Sequence, residues 1–282
     1  MGNGSKLIEE YRTYLPEAKT VLMKDKLLKY GQFLFPFLVI GFFWEISARI
    51  GIINVDTLPA PSMILHEFYS LVWQKGALQR HLVHSLYRLF TGYILAVVVG
   101  VVIGTVLGLH RIIREMFSPT LSLLISVPTI AWIPVLLITM GLGGKTVITA
   151  IFLGGVFEII YSTIAGIRSV DRQQINAARI MGVKGLGLFC KVLLPASLVY
   201  VMPALRLSIG YCWRALVGGE MLSAMIEWGI GKMIYEARFW NNIKVMFVGL
   251  IIIGILGVLL DRTLLKRLEE ETLEKWGMLA ER

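Results

Sequence analysis

Six ionisable residues stand in stretches that are otherwise apolar: Glu45, Arg88, Glu158, Arg206, Arg214 and Glu220. Charge is costly away from water, so such residues persist where they pair, line a polar passage or hold a solute. Arg206 and Arg214 lie eight residues apart, close to two helical turns. That spacing puts both on one helix face, where two guanidinium groups could offer a cationic lining to an oxyanion. Arg214 and Glu220 are also close enough in sequence to form a structural ion pair, and Arg88 sits near the end of an apolar run. Glu158 lies deep in another run and would repel a simple anion unless an arginine pairs with it. An amine or a cationic heterocycle would suit it better.

Other chemistry is poorly supplied. "GLGGKT" at Gly141–Thr146 suggests a phosphate loop, but that motif requires glycine five positions before Gly144, and Thr139 stands there. A tight turn between two apolar runs is the reading left. The four histidines, His66, His81, His84 and His110, fall near the boundaries of apolar runs, and no His-Glu-x-x-His, Asp-rich metal motif or Ser/His pair accompanies them. Cys190 and Cys212 lack a Cys-x-x-Cys partner or a histidine at ligand spacing, so they read as packing residues. Catalytic, cofactor-binding and metal-binding residues are therefore not expected on this chain.

The elements that must position the six charges follow from composition. Of 282 residues, 56% are hydrophobic and only 17% charged, with a mean hydropathy of +0.71 and 28 glycines. Most of such a chain belongs in lipid, where glycine lets helices approach closely. The reading is an all-α integral membrane protein with about six spans, at 32–50, 86–109, 119–140, 146–166, 196–219 and 243–260. The third holds Pro119, Pro128 and Pro134 and should be kinked or broken. The fifth carries Arg206 and Arg214, and the sixth is short unless Ile243 and Lys244 extend it. Between the first two spans, "MILHEFYSLVWQKGALQR" has helical apolar spacing with too many polar groups to cross, so it should lie at the interface after the turn "LPAPS". Gly100, Gly104 and Gly108 make one groove along a helix face, open to a neighbouring helix or to a dimer seam. The segment 1–20 lacks a secretory cleavage signal, so the first span is expected to act as the insertion signal.

Orientation comes from loop charge. Residues 1–31, 110–118, 167–195 and 261–282 hold about 18 of the 28 Lys and Arg, against about 6 in the opposite loops. The positive-inside rule then places these segments and both termini in the cytoplasm. It also accounts for the net charge of +9 without nucleic acid, since no basic stripe with interleaved aromatics is present.

One cytoplasmic loop, "DRQQINAARIMGVKGLGLFCKVLLP" from Asp171 to Pro195, stands out as polar at its start and rich in Ala and Gly. Asp171 with Gln174 resembles a capping box and Gly182 a C-terminal stop, which predicts a helix of about three turns between them. Its narrow face around Ala177 and Ala178 would let another protein's backbone approach, with Arg172 and Arg179 at the rim. Pro195 marks the return of the chain to the membrane.

This loop resembles that of ATP-binding-cassette (ABC) importer permeases, whose pattern is Glu-Ala-Ala, three residues, Gly, nine residues, Ile, one residue, Leu-Pro. Ala177, Ala178, Gly182, Val192, Leu194 and Pro195 occupy the matching places, while Asn176 stands where the family has glutamate. "SLYRLFTGY", "SVPTIAWIPVLLITMGLGGKT", "IAGIRSVD", "LRLSIGYCWRALVGGEML" and "GVLLDRTLLKRLE" extend the likeness from about His81 to the tail, toward the nitrate, sulfonate, taurine and bicarbonate branch. The implied layout is an N-terminal cytoplasmic segment at 1–31, the first span and external interfacial helix at 32–80, a type-1 membrane domain at 81–262 and a cytoplasmic tail at 263–282.

The resemblance further implies a bacterial inner-membrane permease that does not itself hydrolyse ATP. A second permease chain, as a homodimer, completes the pore; two cytoplasmic ATPase subunits carry ATP and Mg; an external binding protein delivers the solute. Asp171, Asn176, Ala177, Ala178, Arg179, Gly182, Leu194 and Pro195 belong to the coupling helix and its exit, and Glu158, Arg206, Arg214 and Glu220 become candidates for the solute pathway. The branch points to a small anion, and Glu158 keeps open an amine or a cationic heterocycle such as a thiamine precursor. A transporter working without ATPases would leave the loop helix with nothing to bind.

Overall fold

A computed structural model describes residues 31–32, 35–223 and 225–261. The described residues fall into two compact units, divided between His66 and Glu67. In the first, helix α1 (residues 35–49) presents mostly exposed apolar side chains, Phe35, Phe37, Leu38, Phe42 and Phe43 among them. Glu45 on α1 accepts hydrogen bonds from the backbone N–H of Ser62 (3.0 Å), the Ser62 hydroxyl (2.7 Å) and Arg49 (2.7 Å), so this intramembrane candidate is a local tie.

The further elements among the described residues are helices joined by turns: α2 (Pro61–Tyr69), α3 (Ala77–Leu109), α4 (Arg111–Ser126), α5 (Thr129–Met140), α6 (Gly144–Ser169), α7 (Arg172–Ile180), α8 (Leu186–Leu188), α9 (Leu194–Leu222), α10 (Ile230–Phe239) and α11 (Ile243–Leu259). Two π-helical turns, Ser70–Gln74 and Phe189–Leu193, follow α2 and precede α9. Among the described residues, three helices are long and apolar enough to cross a membrane singly: α3, α6, and α9 together with its π turn. The pair α4 and α5 qualifies as a fourth when taken together, with a 95° bend between its halves. At 17 residues α11 is apolar but shorter. It begins at Ile243 with Asn242 as its cap, accepting from the N–H of Val245 at 3.3 Å, so Ile243 and Lys244 do extend that run.

Close approach at glycine fixes the packing. A Cβ on Gly92, Gly100, Gly104 or Gly108 would stand 2.6–3.1 Å from Ile151, Ile159, Thr163 or Ile167 respectively. The offset between the two sets is constant, so α3 and α6 run parallel along the glycine face. That groove is filled by another helix of the same chain, which removes it from any role as a dimer seam. α6 and α9 are antiparallel, since Gly155 meets Cys212, Gly166 meets Ser197, and Gly219 meets Val147. Gly257 against Trp213, and Asp261 against Arg206, make α11 antiparallel to α9 in turn.

A parallel pair requires a return between its members. The chain leaves α3 at Leu109 and enters α6 at Gly144, at the opposite end of the bundle, so the bent pair α4–α5 carries it back. The bend lies at Val127–Pro128, while Pro119 and Pro134 sit inside helices that continue through them. Of the three prolines, only the middle one falls at the break.

Two boundaries differ from expectation. The interfacial element foreseen over 63–80 ends near Gly76, whose φ of +57° breaks the helix, and α3 then starts at Ala77, well ahead of the expected 86. Pro195 does not begin a new segment either, because helix is already under way at Leu186 and runs through the π turn into α9. Proline has no N–H and its ring crowds the preceding turn, and the chain meets both demands by widening Phe189–Leu193 directly before it.

Candidate functional site

At one end of the bundle a buried cluster joins α3 to the end of α9. Glu220 is fully buried. Its carboxylate accepts from Arg88 Nη1 at 2.7 Å, from the Ser85 hydroxyl at 2.8 and 2.9 Å, and from the N–H of Gly231 at 3.0 Å. Arg88 also donates to the carbonyl of Trp228 at 2.7 Å, and Ser85 accepts from the N–H of Ile230 at 2.9 Å. His81 Nδ1 lies 2.8–3.0 Å from the carbonyl and N–H of Gly229, with its ring edge-on to Trp228. A Cβ on Gly229 would fall 2.6 Å from the Glu220 carboxyl carbon, so the turn entering α10 is pressed onto the pair. The expected Arg214–Glu220 ion pair is therefore corrected to Arg88–Glu220. Six residues on from Arg214, Glu220 projects from a different side of α9, toward α3 and away from any open space.

The same end holds the "GLGGKT" turn. Gly141 adopts a φ of +80°, the hydroxyl of Thr146 bonds to the carbonyl of Gly141, and the N–H of Gly143 donates to Ser223 Oγ at 2.9 Å. These bonds bind the turn to the end of α9, as a tight connection between α5 and α6.

Midway along the bundle, the bend between α4 and α5 opens a cavity of about 450 Å³. Its walls come from the bend (Val127, Pro128, Thr129), from Trp132, from α6 (Leu153, Gly154, Phe157, Glu158) and from α9 (Tyr211, Arg214, Ala215). Small residues bring α6 and α9 together here, with Gly154 facing Ala215 and Thr129. Glu158 and Arg214 thus share one cavity. Glu158 accepts a 3.4 Å hydrogen bond from Ser162, and the Arg214 guanidinium lies 5.7 Å from the Tyr211 ring centre, within cation–π range. Among the described residues neither charge forms an ion pair.

Arg206 and Arg214 do share a face of α9: both line a second cleft of about 330 Å³ beside α11. Arg206 spends its fork on Asp261, with Nε to Oδ1 at 2.8 Å and Nη2 to Oδ2 at 3.2 Å. That bidentate contact ties the end of α11 to α9. Of the four candidates for a solute pathway, the fold brings two into one cavity, gives the third an acidic partner and seals the fourth.

At the opposite end stands α7. Asp171 caps it by accepting from the N–H of Gln173 at 2.9 Å, while the reciprocal bond foreseen from Gln174 is not made. Its C-terminus is closed by two backbone bonds, Gly182 N–H to Arg179 C=O (3.0 Å) and Val183 N–H to Ala178 C=O (3.0 Å), the Schellman pattern. Gly182 has a φ of +82°, the left-handed conformation that this stop requires. Ala178 is buried, which corrects the expectation that it belongs to the open face. Asn176, Ala177 and Arg179 are exposed, and so are Ile180 (88%) and Met181 (75%). Those two apolar side chains carry no mark in the glycine-and-alanine pattern that drew attention to the loop, so sequence reasoning passed over them. Leu194 and the buried Pro195 lie in the first turn of α9.

The described residues thus form a helical membrane fold with a broken helix pair and a cavity at the break. Residues 96–269 match the family described as binding-protein-dependent transport system inner membrane component, and the chain belongs to that family. It is similar to SsuC of Bacillus subtilis (strain 168), named for aliphatic sulfonates transport, at 32% identity over 92% of this chain and 93% of that one. It is also similar to the bicarbonate transport system permease protein CmpB of Synechocystis sp., at 29% identity over 79% of this chain and 83% of that one. In fold it matches a chain of the MetNI methionine ABC transporter in inward-facing form, with a TM-score of 0.61 at 21% identity over 72% of this chain and 97% of that one. The chain is thus a permease component, not itself an enzyme.

Proposed function

We propose that this chain forms half of the translocation pathway of an ATP-driven importer in a bacterial inner membrane, pairing with a second copy of itself. Both termini face the cytoplasm, in keeping with the distribution of Lys and Arg. Two ATPase subunits, which carry the ATP and Mg, grip α7, and an external binding protein delivers the solute. Closure of the ATPases pushes α7 and rocks the helices packed behind it, a rigid-body change of access.

The observation that carries this reading is α7 itself: a helix capped at both ends, seated through Ala178, with Ile180 and Met181 exposed beside Ala177. Apolar side chains held out in this way suit a groove on a partner protein. Asn176 replaces a charged contact with a neutral amide, so binding there rests more on the apolar pair. The relatives named for sulfonates and bicarbonate favour a small anion as solute, and Arg214 is the cation within the cavity that would meet it.

The test is copurification with the cognate ATPase subunits. The unaltered chain should come through affinity and size-exclusion steps with two ATPases per two permeases, and Ile180→Asp with Met181→Asp should release them. A chain that never retains the ATPases, together with uptake that survives these changes and Gly182→Val, would overturn the importer reading.

A further inference from the structure

We infer that the joint between α10 and α11 is a lipid anchor: Phe239 and Trp240 lie at headgroup depth in the bilayer, and Arg238 and Lys244 hold the phosphates of anionic phospholipids. This goes beyond the importer reading and rests only on the helical membrane fold. The joint is built by the stop of α10. The N–H of Asn241 donates to the carbonyl of Arg238 at 3.2 Å and the N–H of Asn242 to the carbonyl of Ala237 at 2.8 Å, the same Schellman pattern that closes α7. Asn241 holds the left-handed conformation this stop requires, with a φ of +50°, and among the described residues it is the one non-glycine to do so. Asn242 then caps α11 by accepting from the N–H of Val245. The backbone carrying Phe239 and Trp240 is thus fixed from both sides.

That fixed backbone holds apolar side chains outward. Trp240 is 84% and Phe239 70% exposed, and the Tyr235 ring meets Phe239 edge-on at 5.0 Å. The buried side of α10 is taken by Met233, Ile234 and Ala237, with Ile234 against Gly249 of α11. Because α11 runs antiparallel to α9, the joint lies at the end of the bundle where α9 finishes. From there α11 presents exposed Leu250, Ile251, Ile255 and Val258, a surface suited to lipid. Its 17 residues nonetheless rise only about 25 Å, against a hydrocarbon core of about 30 Å. Two exposed rings just ahead of α11 extend the apolar surface toward the interface, the depth that suits Trp with its apolar ring and polar N–H. Arg238 and Lys244 flank the rings, both exposed, and among the described residues neither forms an ion pair. Glu236, the one acid of α10, is engaged by Lys232 at 3.2 Å. Two cations without an acidic partner, beside rings at membrane depth, complement the phosphates of anionic lipid.

The test is quenching of Trp240 fluorescence by brominated phospholipids, with the full-length permease in lipid nanodiscs and its ATPase subunits bound where they copurify. The Trp240 signal is the difference between the parent and Trp240→Phe, a change at an exposed position that keeps the other six of the seven tryptophans. Lipids brominated near the headgroup should quench it more than lipids brominated near the chain end. Brominated phosphatidylglycerol should compete for the site about fivefold or more better than brominated phosphatidylcholine. Arg238→Gln with Lys244→Gln should bring that ratio to within about twofold while lipid quenching at Trp240 persists. Size-exclusion elution and the unfolding temperature confirm that each variant is folded. A Trp240 signal reached by aqueous iodide and not by brominated lipid would place the tip in water, open to a protein partner instead, and would overturn the inference. Equal competition by the two lipids in the parent, or a preference that survives the double change, would overturn it as well.

Discussion

Arg88 with Glu220, and Glu158 with Arg214, set opposite charges among the apolar helices and are treated in opposite ways. Arg88 and Glu220 are buried at one end of the bundle, 2.7 Å apart, with Ser85, Trp228 and Gly231 adding further hydrogen bonds. Glu158 and Arg214 face a shared cavity without meeting. An intramembrane charge is a functional candidate by default, yet environment divides the candidates: a buried, directly bonded pair acts as a structural lock, and an open, unpaired setting is what the proposed solute pathway calls for.

The sharpest way to break that contrast is to remove one half of the buried pair. Arg88→Met should leave Glu220 as an uncompensated buried charge and destabilise the protein by about 3–5 kcal/mol, seen as loss of folded permease in detergent, while Arg88→Met with Glu220→Met should recover much of it. A change in the packing that frames both pairs comes next. Gly104→Val places its Cβ against Thr163 and the carbonyl of Ile160 and should cost about 1–3 kcal/mol, read as a lowered unfolding temperature. Gly182→Ala forces an L-residue to hold a φ of +82°, which should cost about 1–2 kcal/mol. That cost should fall on α7, appearing as faster hydrogen exchange from Asp171 to Val183 with little change in the bundle. The smallest effect on stability belongs to the open pair: Glu158→Gln should change unfolding by no more than about 0.5 kcal/mol, because no ion pair and only one long hydrogen bond are disturbed.

What could be read in advance follows from the range of the signals. Composition and apolar run length identified the helical membrane class, and the caps of α7 were visible because Asp171 and Gly182 act on their own neighbours. The break at Pro128 was foreseen as one of three prolines, but which of them parts the helix depends on the packing of α4 and α5 against α6. The pairing of Glu220 with Arg88, 132 residues away in the chain, has no local signature, and proximity in sequence pointed instead to Arg214. Burial of Ala178 and exposure of Ile180 depend on how α7 sits against α8 and the π turn, which residue type alone does not reveal. The cavity became legible only when Gly154 and Ala215 showed where α6 and α9 approach each other below the bend.

The most direct measurement is a pair of double-mutant cycles on unfolding free energy, one for Arg88 with Glu220 and one for Glu158 with Arg214, each using Met or Gln replacements. A coupling of about 2–3 kcal/mol is predicted for the first pair and a value near zero for the second. Comparable couplings in the two cycles would contradict the division into a locking pair and a solute-facing pair.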